Sequence, residues 1–155
     1  MKLNKASLFA LFAVLELARD PERQLTTTDI ADTYGISTHH LAKVMRHLAQ
    51  EGLVQPSRGA GGGYRFAGNT NRTTLLDVIQ LFEKLDSELD MPNNRRNAGD
   101  PIVTELQSIS NEIDDLTKAV LDTVTLATVL KNTRCMPNQE GESGTYPEKP
   151  LAESI

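Results

Sequence analysis

The sequence predicts a mainly α fold with one small β-hairpin: a winged helix-turn-helix domain followed by a long dimerisation helix. Three observations predict it. Two helical patterns are separated by Gly35-Ile36-Ser37, the form of a helix-turn-helix. Directly behind the second, two short apolar runs flank a glycine-rich loop, the form of a hairpin. Beyond residue 101, apolar residues return at alternating steps of four and three, the seam of a helix that packs on another helix.

The elements follow in order. Residues 4–18 place Leu8, Leu11, Phe12, Leu15 and Leu17 at mostly helical spacing, and Asp20-Pro21 ends that helix. Thr26, Thr27 and Thr28 supply hydroxyl caps for a short helix over residues 29–34, which Gly35 closes because glycine adopts the left-handed cap most cheaply. Ser37 is the natural N-cap of a helix over residues 38–50. Leu53-Val54 and Tyr64-Arg65-Phe66 form the strands of the hairpin, a wing. A further helix is expected over residues 74–85, capped by Thr73 or Thr74 and presenting Leu75, Val78, Ile79 and Phe82. Residues 1–85 thus form the winged domain and residues 86–101 a polar loop.

The long helix is expected over residues 102–131. Ile102, Leu106, Ile109, Ile113, Leu116, Val120, Ala127 and Leu130 keep the seam, interrupted only at Thr123. About four heptads of this kind suit a dimer with a second copy of the chain; Ile102, Leu106, Ile109, Ile113, Leu116, Val120 and Leu130 are the dimerisation candidates. Packing back onto its own domain is the weaker reading. From residue 132 the chain turns polar and aperiodic, and 132–155 is expected to be a disordered tail.

Composition sets the function classes. A chain of 155 residues holds one domain and an appendage, which excludes a barrel enzyme or a two-lobed nucleotide enzyme. One Cys excludes a disulfide framework and a zinc site built on several thiolates. The longest apolar stretch, residues 8–18, contains Glu16 and is closed by Arg19. It falls short of the about 20 residues that span a bilayer, and no cleavage pattern follows. A soluble, cytoplasmic protein without a membrane partner is expected. The net charge of −5 is uneven: residues 1–72 carry nine Lys/Arg against six Asp/Glu, and residues 73–155 seven against fifteen. A basic N-terminal module suits nucleic acid, and an acidic remainder keeps the chain soluble.

The glycine-rich loop fails as a nucleotide cradle. A P-loop needs Lys and Ser/Thr after its last glycine, whereas Tyr64-Arg65 follows Gly63; a dinucleotide fingerprint from Gly59 would need glycine at Tyr64. As a wing tip it makes sense: Gly59, Gly61 and Gly62 bring backbone amides near phosphates, and Arg58 enters a groove. On the preceding helix Leu41, Val44, Met45 and Leu48 should face the core. Ser37, Thr38, His39, His40 and Lys43 are then the candidates for contacting double-stranded DNA, because the N-terminal turns of such a helix enter the major groove. Metal binding by the histidines is disfavoured: His39 and His40 diverge by about 100°, and His47 lies about two turns away. No metal site is expected. No nucleophile–base set or cofactor motif exists, so no enzyme is expected. Cys135 reads as an incidental thiol, with redox sensing or partner linkage as its alternative roles.

Gly35-Ile36-Ser37, residues 48–54 and above all RGAGGGY at 58–64 resemble the Rrf2 family of bacterial transcription regulators, over about residues 1–131. The opening helix and Thr125-Leu126-Ala127 also look like that family. The resemblance implies a homodimer on a pseudo-palindromic operator near promoters, with Ser37, His39, His40, Lys43 and Arg58 contacting DNA. The leading reading is a regulator that acts as a repressor rather than an activator. Many members hold an iron–sulfur cluster on three Cys between the fourth helix and the dimer helix. Here residues 85–101 contain no Cys, and neither the Asn residues there nor Asp90 and Asp100 replace thiolates. No iron–sulfur cluster or other cofactor is expected, which leaves room for a different effector. The alternative reading is a protein-interaction module that regulates a partner through its acidic helix or tail. It does not require salt-sensitive DNA affinity.

Overall fold

The computed structural model describes residues 2–59, 61–86 and 99–134. Helix α1 spans Lys5–Arg19, where Asn4 Oδ1 accepts from the Ser7 amide at 2.8 Å and so starts the helix. Its Ala10, Ala13, Val14 and Leu17 are fully buried, and most of the other helices and one strand of the hairpin pack against it. Helix α2, Thr27–Tyr34, opens with a capping box: the Asp29 amide donates to Thr26 Oγ1 at 3.1 Å, and the Thr26 amide donates to the Asp29 carboxylate at 2.8 Å. These bonds from Thr26 hold the Asp29 carboxyl below its ordinary value. Gly35 closes α2 at φ +62°, the left-handed conformation expected of it.

Helix α3, Thr38–Gln50, buries Leu41, Val44, Met45 and Leu48, none more than 5% exposed. Behind it, β1 (Val54–Ser57) and β2 (Gly63–Phe66) pair antiparallel, with Val54 opposite Phe66 and Ser57 opposite Gly63. The hairpin is tied to the domain by one more residue. The Tyr64 amide donates to the Leu25 carbonyl at 2.8 Å, and the Leu25 amide to the Tyr64 carbonyl at 3.1 Å. Leu25 therefore acts as a one-residue third strand. It also explains Gly63: a Cβ there would lie 2.6 Å from the Leu25 carbonyl oxygen.

Helix α4 is Leu75–Gln80, shorter than the expected 74–85. Thr74 caps it reciprocally with Asp77. The chain then turns to meet the start of α1: Asn4 donates from its backbone to the Glu83 carboxylate at 3.1 Å and from its side chain to the Phe82 carbonyl at 3.2 Å. Those bonds divert residues that would otherwise have continued the helix.

The expected single helix over 102–131 is two. Helix α5 covers Pro101–Thr123 and α6 covers Leu126–Arg134, so α6 also runs three residues into the stretch expected to be a disordered tail. Val124 is extended, at φ −97° and ψ +106°. Its carbonyl accepts from the Leu75 amide at 2.9 Å, while the Leu126 amide donates to the Thr73 carbonyl at 2.9 Å. Thr123-Val124-Thr125 is a β-branched run, which lowers the cost of leaving the helix. Thr125 Oγ1 then accepts from the Thr128 amide at 3.2 Å and restarts it. The turn swings Leu126 and Leu130 into the domain core, where Leu126 is fully buried. Leu130 is thus corrected from a dimerisation candidate to a core residue. Ile102, Leu106, Ile109, Ile113, Leu116 and Val120 remain on α5 and are between 46% and 71% exposed. Most of the polar loop and the tail with Cys135 lie outside the described residues.

Candidate nucleic-acid interface

The recognition candidates sit on the side of α3 opposite its buried face. Ser37, Thr38, His39, His40 and Lys43 are all exposed, as is Arg46 one turn further. Ser37 occupies the N-cap position, but its hydroxyl makes no capping bond. The first-turn amides of α3 therefore have no side-chain cap, and such a helix end is a favourable place for an anion. The His39 and His40 rings lie 5.9 Å apart between centroids and tilted at 59°, and both residues are exposed. His47 is structural: its Nε2 donates to the Leu81 carbonyl at 3.1 Å and its ring meets Phe82 edge-on at 5.1 Å. Among the described residues no three His, Cys, Asp or Glu side chains gather as a metal site.

In the wing, Arg58, Gly59 and Gly61 are exposed. Gly59 at φ +142° and Gly61 at φ +91° take conformations that side chains rarely adopt. The Gly62 amide donates to the Gly59 carbonyl at 3.1 Å. That amide is engaged inside the turn, so Gly62 helps to shape the tip. Gln24 adds a support missed in the sequence, donating from Nε2 to the Gly61 carbonyl at 3.4 Å. Lys5 was also missed: α1 brings it beside His40 and Lys43 around one groove, a neighbourhood between residues far apart in sequence that no local pattern signals.

A model of the Rrf2 family, described as iron-dependent transcriptional regulators, matches residues 3–132. The chain belongs to the Rrf2 family. This Rrf2 chain is similar to a protein described as an HTH-type transcriptional regulator, BadM of Rhodopseudomonas palustris, at 42% identity over 93% of this chain and 92% of that one. Among solved structures it is similar to IscR of T. potens, with TM-score 0.69 and 26% identity, covering 88% of this chain and 93% of that one. It is also similar to CymR (YrzC), described as the global cysteine regulator of B. subtilis, with TM-score 0.66 and 25% identity over 85% and 98% of the two chains. The winged helix-turn-helix class read from the sequence is that of these regulators, and DNA binding in transcription regulation follows from the family.

The family description mentions iron, and this chain has few donors of one relevant class. Iron–sulfur clusters are held chiefly by Cys thiolates, and the chain has one Cys, at position 135. None lies between α4 and α5. No helix among the described residues is long and apolar enough to cross a membrane.

Proposed function

We propose that this Rrf2 regulator is a cytoplasmic, non-enzymatic homodimer that represses transcription from a pseudo-palindromic operator without an iron–sulfur cluster. The observation that carries the reading is the division of α3: four apolar residues seal one face into the core, and a polar N-terminal half stands clear of it. A helix held so firmly by its back presents its front with little freedom to lose on binding. Ser37 and the first-turn amides face phosphates. Thr38, His39 and His40 supply donors for base edges, and Lys43 neutralises a phosphate. Arg58 at the wing tip inserts into the neighbouring groove, where a narrow minor groove attracts a guanidinium.

Dimerisation is supported by the exposed seam of α5. That helix is about 34 Å long at 1.5 Å per residue, and six large apolar side chains along it are largely exposed. A two-fold pair would place two recognition helices on half-sites about one DNA turn apart, about 34–36 Å. Cys135 would then supply two thiols per dimer, too few to hold a cluster alone.

The test is a fluorescence-anisotropy titration of DNA from upstream of the protein's own gene against unrelated DNA at two salt concentrations. Protein free of iron should prefer the upstream DNA by about a thousandfold, and affinity should fall steeply with salt. Lys43→Ala and Arg58→Ala should each weaken binding and lower the salt slope by about one. Equal, salt-insensitive binding to both DNAs would overturn the reading. Transcription in vitro from the bound promoter should fall as protein is added; a rise would overturn repression.

A further inference from the structure

The groove between α1 and α3 has a floor of Ala6, Phe9 and Val44 and a rim of Lys5, His40 and Lys43. We propose that it binds a small apolar carboxylate and that the bound molecule excludes DNA, a regulation that rests on the DNA-binding role proposed above. Three observations support this occupant. The floor is hydrocarbon, with Val44 buried and Ala6 and Phe9 half-buried, so it favours a chain or ring over water. The rim carries two ammonium groups and an imidazole, and among the described residues no Asp or Glu lines the groove. Neither Lys5 nor Lys43 has an ion-pair partner among the described residues. The volume, about 260 Å³, lies just below the about 300–1,000 Å³ of ordinary ligand pockets, which suits a small molecule.

The combination discriminates between ligands. A phosphate or other fully polar anion would satisfy the lysines and leave the floor bare, while a neutral hydrocarbon would cover the floor and ignore the charges. A carboxylate with an apolar tail meets both. Its effect on DNA follows from shared residues. A carboxylate held by Lys43 and His40 neutralises a phosphate-binding cation and places a negative charge beside the first turns of α3, where the DNA backbone must come.

The probe is hexanoate on the full chain, with acetate as the charge without the tail and hexan-1-ol as the tail without the charge. In amide-resolved NMR without DNA, hexanoate should shift Ala6, Phe9 and Val44 together, and the two controls should not. In anisotropy at constant ionic strength, hexanoate at about ten times its own dissociation constant should raise the apparent Kd for DNA about tenfold, as competition requires. Ala6→Leu fills the groove from α1; it should keep DNA affinity and lose both responses. Should that variant melt early, Lys5→Gln is read in the NMR titration alone, without DNA, where it should weaken hexanoate severalfold. Absent shifts, or equal shifts with acetate, overturn the site. Shifts with unchanged DNA affinity overturn the competition. Protein that binds hexanoate but never binds DNA overturns the DNA role and leaves the site standing.

Discussion

Helices α3 and α5 carry the same kind of sequence, apolar residues at three- and four-residue steps on an otherwise polar helix, yet they end in opposite situations. Every apolar side chain on the inner face of α3 is sealed by the rest of the chain. On α5 the apolar row from Ile102 to Val120 is about half or more exposed, and among the described residues Leu121, near its end, is the one α5 side chain buried in the core. The reason is geometric. Helix α3 lies between α1, α2 and the wing, whereas α5 leaves the domain and touches it mainly at α4, with Lys118 paired to Asp86. Amphipathicity shows that a helix needs a cover; it does not show where the cover is. A single domain this size rarely leaves so large an apolar strip unmatched.

The comparison breaks first if α5 is not an interface. Replacing Ile113 and Leu116 together by Asp should give monomers in sedimentation velocity and lower operator affinity by about a hundredfold, the loss of two-site avidity. A dimer that survives would assign dimerisation to some other surface. Next, one substitution on both helices sharpens the contrast. Leu48→Ala should cost about 2–5 kcal/mol in chemical denaturation because it opens a cavity. Leu116→Ala, measured at concentrations where the chain is monomeric, should stay within about 0.5 kcal/mol.

A smaller effect is expected from Gly63→Ala. The new methyl meets backbone, so Leu25 and β2 must separate, costing about 1–3 kcal/mol and weakening DNA binding through a displaced wing. Unchanged stability and affinity would mean the Leu25 bridge does not hold the wing. The smallest effect concerns how α1 clasps α2. Tyr34 stacks on Phe12 at 4.6 Å and donates to Glu16 Oε2 at 2.6 Å, and Glu16 also pairs with Arg19 at 3.3 Å. Burial, followed by the Glu16 carboxylate, pushes the Tyr34 phenol from 10.0 up to about 12. A raised value in the folded state favours the neutral phenol there. That contribution is complete below pH 10 and is lost as pH climbs toward 12. Thermal midpoints of the wild type and Tyr34→Phe should therefore differ below pH 10 and converge above it.

Much of this was legible in the residues. Gly35, the capping threonines and the four apolar positions of α3 each act on their near neighbours, so local chemistry was enough to place α1, α2, α3 and the hairpin. The seam after residue 101 was legible as a pattern but not as a path. Its four-three rhythm runs on through Ala127 and Leu130, and only the β-branched Thr123-Val124-Thr125 hinted at a break. The break became decisive because residues 73–75 offer Val124 and Leu126 backbone partners, a contact across about fifty positions. The shortened α4 has the same origin, since Asn4 claims Phe82 and Glu83. At the interface, Ser37 to Lys43 followed from helical spacing, while Lys5 joined them only through the packing of α1 on α3.

The residues alone therefore determined which segments are helices, which face of each is apolar, that the loop at 58–63 turns tightly, and that no thiolate set exists for a cluster. Tertiary structure decided which apolar faces find cover inside the chain, where the last long helix turns back, why Gly63 admits no side chain, and which cations share a groove. Caps, periodicity and glycine conformations act within a few residues. Cover, register and charge neighbourhoods depend on backbone groups brought together from distant parts of the chain.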